Sequence, residues 1–218
     1  MIEINRKEVL RYLGYQKVEP DKIMLDMLED CIDQINRAAH FSYNIQKFDI
    51  QFLSKDTIQI EEMIIHSKDL SKNLNGCHSA YLFAGTIGMD VDRLIRRAEI
   101  TNMAKAMCYQ AIGAACIEAY VDKINEEIIQ NEAKHNMYCR PRFSPGYGDF
   151  SLNHQSDFSR ILDMPKTCGI NLTDTLLMVP SKSVTAVIGV TNKPIQYSSK
   201  CERCANYTTC DFSEKGCL

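Results

Sequence analysis

The feature that most restricts the fold is a helical pattern from about Asn102 to Gln130 with little side-chain bulk on one face. Ala104, Cys108, Ile112 and Cys116 recur at intervals of four, and so do Ala111, Ala115 and Ala119. Residues four apart share one face of a helix. A small-residue face lets another backbone come close, which serves tight core packing or lines a pocket. The chain can supply the body such a helix needs. Its 218 residues are 45% hydrophobic and 24% charged, an ordinary globular balance that excludes a disordered, collagen-like or repeat protein. A chain of this length hides about 70% of its unfolded surface, in one large domain or two small ones. Against 28 acidic residues stand 25 basic ones, a net charge of −3, so nothing draws the chain to nucleic acid or an anionic membrane. No apolar run approaches the roughly 18–20 residues of a membrane span. The first fourteen residues carry charges where a signal peptide needs an apolar stretch. A cytoplasmic location is expected.

Around that helix the pattern alternates between helix and strand without a regular βαβ rhythm. Asn5 caps a short helix over 5–13, with Glu8 completing a capping box and Gly14 ending it in a left-handed turn. Pro20 and Asp21 open a helix to about Ala39, with Ile23, Met24, Met27, Leu28, Cys31, Ile32 and Ile35 as its apolar stripe. Asp26, Glu29, Asp30 and Asp33 ride its other side and read as a solvated face or a surface for a basic partner. Strands are expected over Tyr43–Phe52, Thr57–Ile60, Ala80–Ala84, Thr173–Val179 and Ser183–Thr191. Val184, Ala186, Ile188 and Val190 alternate onto one face of the last. Ser67 caps a short helix ending near Asn75-Gly76. Gly85, Thr86 and Gly88 read as a turn, and Asp90 opens a helix with Val91, Leu94 and Ile95 inside. A further short helix is expected over Gln155–Leu162. The class is α+β.

Between His135 and Asp149 two prolines and two glycines break the pattern, and a loop of that length is usually functional or disordered. Its apolar residues Phe143 and Tyr147, followed by Phe150, argue against disorder. Within it, Arg140-Pro-Arg142-Phe-Ser-Pro145-Gly146-Tyr147-Gly148-Asp149-Phe150 is the most specific stretch of the chain. Glycines on both sides of Tyr147 allow a sharp turn and a close approach to a ligand. Arg140 and Arg142 offer planar forks suited to a carboxylate, and Tyr147 a ring for stacking. The same residues also describe a tight surface turn with two solvated arginines. Cys139 beside His135 is a weaker candidate for nucleophilic chemistry, since nothing in the sequence orients the pair.

The stretch Arg142-x-x-Pro145-Gly146-Tyr147, on a long loop after a long helix, resembles the activation domain of cobalamin-dependent methionine synthase. Leu176-Leu-Met-Val-Pro180-Ser resembles that family's strand–Met–x–Pro segment, and Arg11-Tyr12-Leu13-Gly14-Tyr15 the opening of its free-standing relatives. The resemblance covers about residues 77–191, is weaker before and absent in the tail. It implies a twisted antiparallel sheet surrounded by helices. It also implies binding of S-adenosylmethionine as methyl donor and reductive remethylation of Co(II) cobalamin. A chain this short has no room for homocysteine, folate or cobalamin modules. The implied role is therefore accessory: cobalamin is carried by a methionine synthase lacking this domain, or by a related corrinoid methyltransferase. Flavodoxin or ferredoxin is the implied electron donor. Carried over by position, the ligand residues are Arg142, Pro145, Gly146 and Tyr147, with an acidic residue on the preceding helix supplied by Glu118 or Asp122; Gly148 joins the candidates as the second glycine flanking Tyr147. After Tyr147 the family reads Pro-Ala-Cys-Pro where this chain has Gly148-Asp149-Phe150-Ser151, and Ile188 stands where the family has a tyrosine.

Ten cysteines occur in the chain, four of them in its last 18 residues. Cys201-x2-Cys204-x5-Cys210-x6-Cys217 can close a tetrahedral thiolate set around zinc or hold an iron–sulfur cluster, and the spacing does not choose between them. The same thiols can also stay reduced in an unstructured tail. The expected division is an activation-like domain over 1–191 and a cysteine-rich metal-binding tail over 192–218. Two functions stay open: an activator of a corrinoid methyltransferase, and a non-catalytic ligand-sensing or docking module with a zinc-stapled tail.

Overall fold

The computed structural model describes residues 2–15 and 18–194. The four clustered cysteines lie outside them. Strands β1 (Ser42–Ser54), β2 (Thr57–Ile60), β3 (Met63–His66), β4 (Ser79–Thr86), β5 (Tyr138–Cys139) and β8 (Ser183–Thr191) form one sheet in the order β3-β2-β1-β4-β8-β5. Every neighbouring pair is antiparallel. Helices α1 (Arg6–Tyr12), α2 (Lys22–Ala38), α4 (Met89–Thr101) and α5 (Met103–Ala133) cover one face. Helices α3 (Lys68–Asn73), α6 (Gln155–Ile161) and α7 (Met164–Thr167) cover the other. This is the expected α+β class.

The central strands β4 and β8 explain the two-layered core. Alternate side chains of a strand point to opposite faces. Phe83, Ile188 and Val190 therefore enter the core under α5, while Leu82, Ala84 and Val187 enter the core under α3 and α6. The period-2 reading of β8 as one apolar face is thus half of the observed burial, because helices cover both sides. Ile188 is 1% exposed and belongs to the core.

The small-residue face of α5 turns inward over most of its length: Cys108, Ala111, Ile112, Ala115 and Cys116 are buried, while Ala104 is exposed. Gly113 carries the stem of Lys182, and a Cβ there would lie 3.1 Å from Lys182 Cε. Lys182 Nζ donates to Gln110 Oε1 at 2.8 Å.

Several local expectations change. Gly85 and Thr86 continue β4, and only Gly88 turns, with φ 89°, to start α4. Thr173–Val179 is not a strand. Asn171–Leu172 (β6) pairs with Met178–Val179 (β7) across a turn in which Leu176 takes φ 64°. Glu8 does not close a capping box; its carboxylate accepts from the Tyr12 hydroxyl at 2.9 Å and from Arg11 at 3.1 Å. The acidic run of α2 is not merely solvated: Glu29 takes both Nε and Nη2 of Arg6 at 2.6 and 2.7 Å, and Asp30 accepts from Lys105 at 2.7 Å. No helix among the described residues is long and apolar enough to cross a membrane.

Candidate functional site

The loop after α5 runs along the free edge of β8. Arg140 N–H donates to Gly189 O at 2.7 Å, and Phe143 and Val187 exchange N–H···O bonds of 3.0 and 2.8 Å. These bonds aim the intervening Arg142 at α5. Its Nη2 donates to Glu118 Oε2 at 3.1 Å and to Asp122 Oδ1 at 2.7 Å. The two carboxylates lie one helical turn apart, so one guanidinium reaches both. Both candidate acids on the helix are therefore used. The Arg142 side chain is 13% exposed against 40% and 48% for its partners. Arg142 Nη1 is buried without an acceptor, and an orphaned guanidinium donor is costly unless something else fills its place.

Beyond Arg142 the chain makes a hairpin tip. Tyr147 N–H donates to Ser144 O at 3.1 Å, Gly146 N–H to Phe150 O at 2.8 Å, and Phe150 N–H to Tyr147 O at 3.0 Å. Pro145 and Phe150 are buried, while Gly146, Tyr147 and Gly148 are exposed, Tyr147 by 68%. Gly146 has φ 95°, a conformation that glycine adopts without steric cost. The structure thus brings Arg142 and Glu118 together and sets the 145–148 tip beside them at the surface.

Arg140 stands apart from this pair, donating to Asn75 O at 2.6 Å.

Four residues around the tip were not read from the sequence as site residues. The Asp149 carboxylate accepts from Ser67 Oγ, Lys68 N and Asp69 N at the start of α3, and Asp149 N–H donates to Asp69 Oδ2. Ser67 was legible as a helix cap, but its link to Asp149, 82 residues along the chain, leaves no local signal.

A groove of about 410 Å³ runs along α5 beside α1, lined by Tyr12, Leu13, Met103, Met107, Gln110 and Ala114 among others. Ala114 is one turn before Glu118, so the groove and the Arg142 cluster share one side of the helix.

The Cys139–His135 reading fails. Cys139 is 1% exposed, and burial pushes its thiol up to about 11. His135 Nδ1 instead lies 3.1 Å from Asn131 O. Among the described residues no group of His, Cys, Asp and Glu is arranged to hold a metal ion.

The family described as vitamin B12 dependent methionine synthase, activation domain, matches residues 79–212, from β4 through α5, the loop and β8 and on into the cysteine-rich tail, where the resemblance was expected to be absent. The crystal structure of the MetH reactivation domain bound to AdoHcy superposes with a TM-score of 0.62. The match covers 88% of this chain and 78% of that one at 15% identity, and at that identity the likeness is one of fold. No curated protein matches the chain in sequence.

Proposed function

The chain belongs to the family of the vitamin B12 dependent methionine synthase activation domain, and from that premise we propose that it binds S-adenosylmethionine at the Arg142–Tyr147 loop and supports remethylation of cobalamin held by a partner. The observation that carries the reading is the Arg142 cluster. A guanidinium with one buried, unpaired nitrogen stands against two half-exposed carboxylates. That donor and acceptor set suits a ligand bearing both a carboxylate and an ammonium group. Arg142 would hold the carboxylate and Glu118 or Asp122 the ammonium, while Gly146, Tyr147 and Gly148 leave backbone and one ring exposed at the tip for the rest of the ligand. When bound, S-adenosylmethionine supplies an electrophilic sulfonium methyl group. The exposure of the tip favours delivery on a docking face over delivery in a closed pocket, and reacting atoms must come within about 3–3.5 Å for transfer. The net charge of −3 is small, so docking rests more on shape and apolar contact than on charge steering.

Titration calorimetry with S-adenosylmethionine and AdoHcy tests the ligand. Wild type should bind, and Arg142→Ala should lose about 1.5–3 kcal/mol, the range for a charge-assisted hydrogen bond. No binding by wild type refutes the reading, and equal binding by the variant misplaces the site. The role is tested by mixing the protein with a Co(II) corrinoid methyltransferase, a low-potential reductant such as reduced flavodoxin or ferredoxin, and S-adenosylmethionine. Methylcobalamin should form faster than without the protein; an equal rate refutes the role.

The cysteine-rich tail over 192–218 is part of the same proposal. Cys201, Cys204, Cys210 and Cys217 would share one zinc ion or iron–sulfur cluster. Metal analysis of anaerobically purified protein tests this, and a variant with all four replaced by serine that keeps its metal refutes it.

A further inference from the structure

We propose that Asp149 is a positioning residue for the Arg142–Tyr147 loop, holding the tip against the first turn of α3. This rests on the reading of that loop as the ligand site, and it concerns the residues that directly follow Tyr147.

The hydrogen bonds account for the whole carboxylate. Oδ1 accepts from Ser67 Oγ at 2.5 Å and from Asp69 N at 3.1 Å, and Oδ2 accepts from Lys68 N at 2.8 Å. The contact is returned, with Asp149 N–H donating to Asp69 Oδ2 at 3.3 Å. Ser67 Oγ also accepts from Leu70 N at 3.0 Å, so one hydroxyl serves both the helix cap and the clasp. Gly148 makes the approach possible. Its φ is 52°, and a Cβ there would lie 2.3 Å from Asp69 Oδ2. Substitution at Gly148 therefore makes the Asp69 carboxylate swing aside, away from the Asp149 N–H that donates to it.

The far side of the clasp is firm. Leu70 and Leu74, which follow the clasped turn, are 0% exposed in the core under the sheet. Apart from the clasp, the tip is held by the burial of Pro145. Between the β8 bridge at Phe143 and the buried Phe150, the backbone makes only its own turn bonds. Nothing in Gly148-Asp149 restricts the backbone covalently, as prolines do. Asp149 thus does by hydrogen bonding what a stiff chain would otherwise do, and Arg142 inherits its placement from both ends of the loop. In keeping with this geometry, the hydrogen bond from Ser67 leads the contacts that hold the Asp149 carboxyl below its ordinary pKa.

Asp149→Asn tests the idea. The amide is isosteric but has one acceptor oxygen instead of two, and its NH2 would face a backbone N–H donor. Hydrogen exchange at Gly146, Tyr147 and Phe150 should accelerate about tenfold, while β4 and β8 amides keep their wild-type rates. Affinity for S-adenosylmethionine should fall about tenfold. Ser67→Ala removes one of the three bonds to the carboxylate together with the cap to Leu70 N, and it too should accelerate exchange in the loop. Unchanged exchange in the loop overturns the proposal. So does equal acceleration in β4 and β8, which would make the role one of general stability. Faster loop exchange in a protein whose wild type binds no S-adenosylmethionine supports the clasp and refutes the ligand reading.

Discussion

Glu132→Ala should be among the costliest single changes outside the apolar core. Glu132 closes α5 with its side chain 6% exposed, and Oε1 accepts from Lys47 Nζ at 2.6 Å and the Tyr81 hydroxyl at 2.5 Å. The three residues tie α5 to β1 and β4. Truncation leaves a cation and a phenol without their acceptor. Breaking a fully buried pair costs about 3–5 kcal/mol. Lys47 is 38% exposed and can be rehydrated, which reduces its share to about 1–2 kcal/mol. The phenol adds about 1 kcal/mol. The expected loss is about 2–3 kcal/mol. Glu132→Gln keeps an acceptor for Tyr81 and should lose about half as much. Urea denaturation followed by circular dichroism reads this as a midpoint shift of about 1 M, for a slope of about 2–3 kcal/mol per M.

The pH dependence adds a second test. Burial alone raises the Glu132 carboxyl, but the hydrogen bonds from Lys47 and Tyr81, with the Lys47 charge, outweigh it and hold the carboxyl below its ordinary value. A lowered folded-state pKa contributes stability above the unfolded value, near ~4.3, and loses it as pH falls through the folded value. The gap between wild type and Glu132→Gln should therefore be full at pH 6–7 and close as pH falls below about 4. A Glu132→Ala protein within about 0.5 kcal/mol of wild type at an unchanged slope, or a gap that widens in acid, would refute the reasoning.

Three further outcomes are expected. Gly189→Ala should destabilise by about 1–3 kcal/mol through overpacking, because its Cβ would lie 2.5 Å from Leu74 Cδ2 and 2.7 Å from Cys77 Sγ; a chemical denaturation curve unchanged from wild type refutes this. Burial raises the thiols of Cys116 and Cys139 to about 11, so at pH 8 neither should be alkylated in the folded protein, and mass spectrometry showing fast labelling of either would overturn the assignment. Asp92 is 5% exposed and accepts from Ser181 N at 2.7 Å and Ser181 Oγ at 2.6 Å. Asp92→Ala should therefore cost about 2–3 kcal/mol by thermal unfolding, and a loss under about 0.5 kcal/mol removes the turn from the list of stabilising contacts.

Local chemistry alone determined much of this protein. Asn5, Asp21, Ser67 and Asn102 cap the helices that follow them, because a short side-chain oxygen satisfies N–H groups only a few residues away. The alternation of Ser183–Thr191 set a strand with those bounds. The Arg142–Tyr147 loop was legible from its prolines and glycines, whose effect lies in their own backbone. Tertiary structure decided what depended on distant partners. Gly85 reads as a turn residue, yet it extends β4 because Tyr43 and Val184 pair with it from either side. Asp149 reads as the end of a loop, yet it caps a helix 80 residues earlier. Both Glu118 and Asp122 were visible one turn apart, but only the path of the loop along β8 shows that one arginine holds both. A hydrogen bond between residues far apart in sequence costs chain entropy that only the assembled core offsets, so no pattern in the nearby residues announces it.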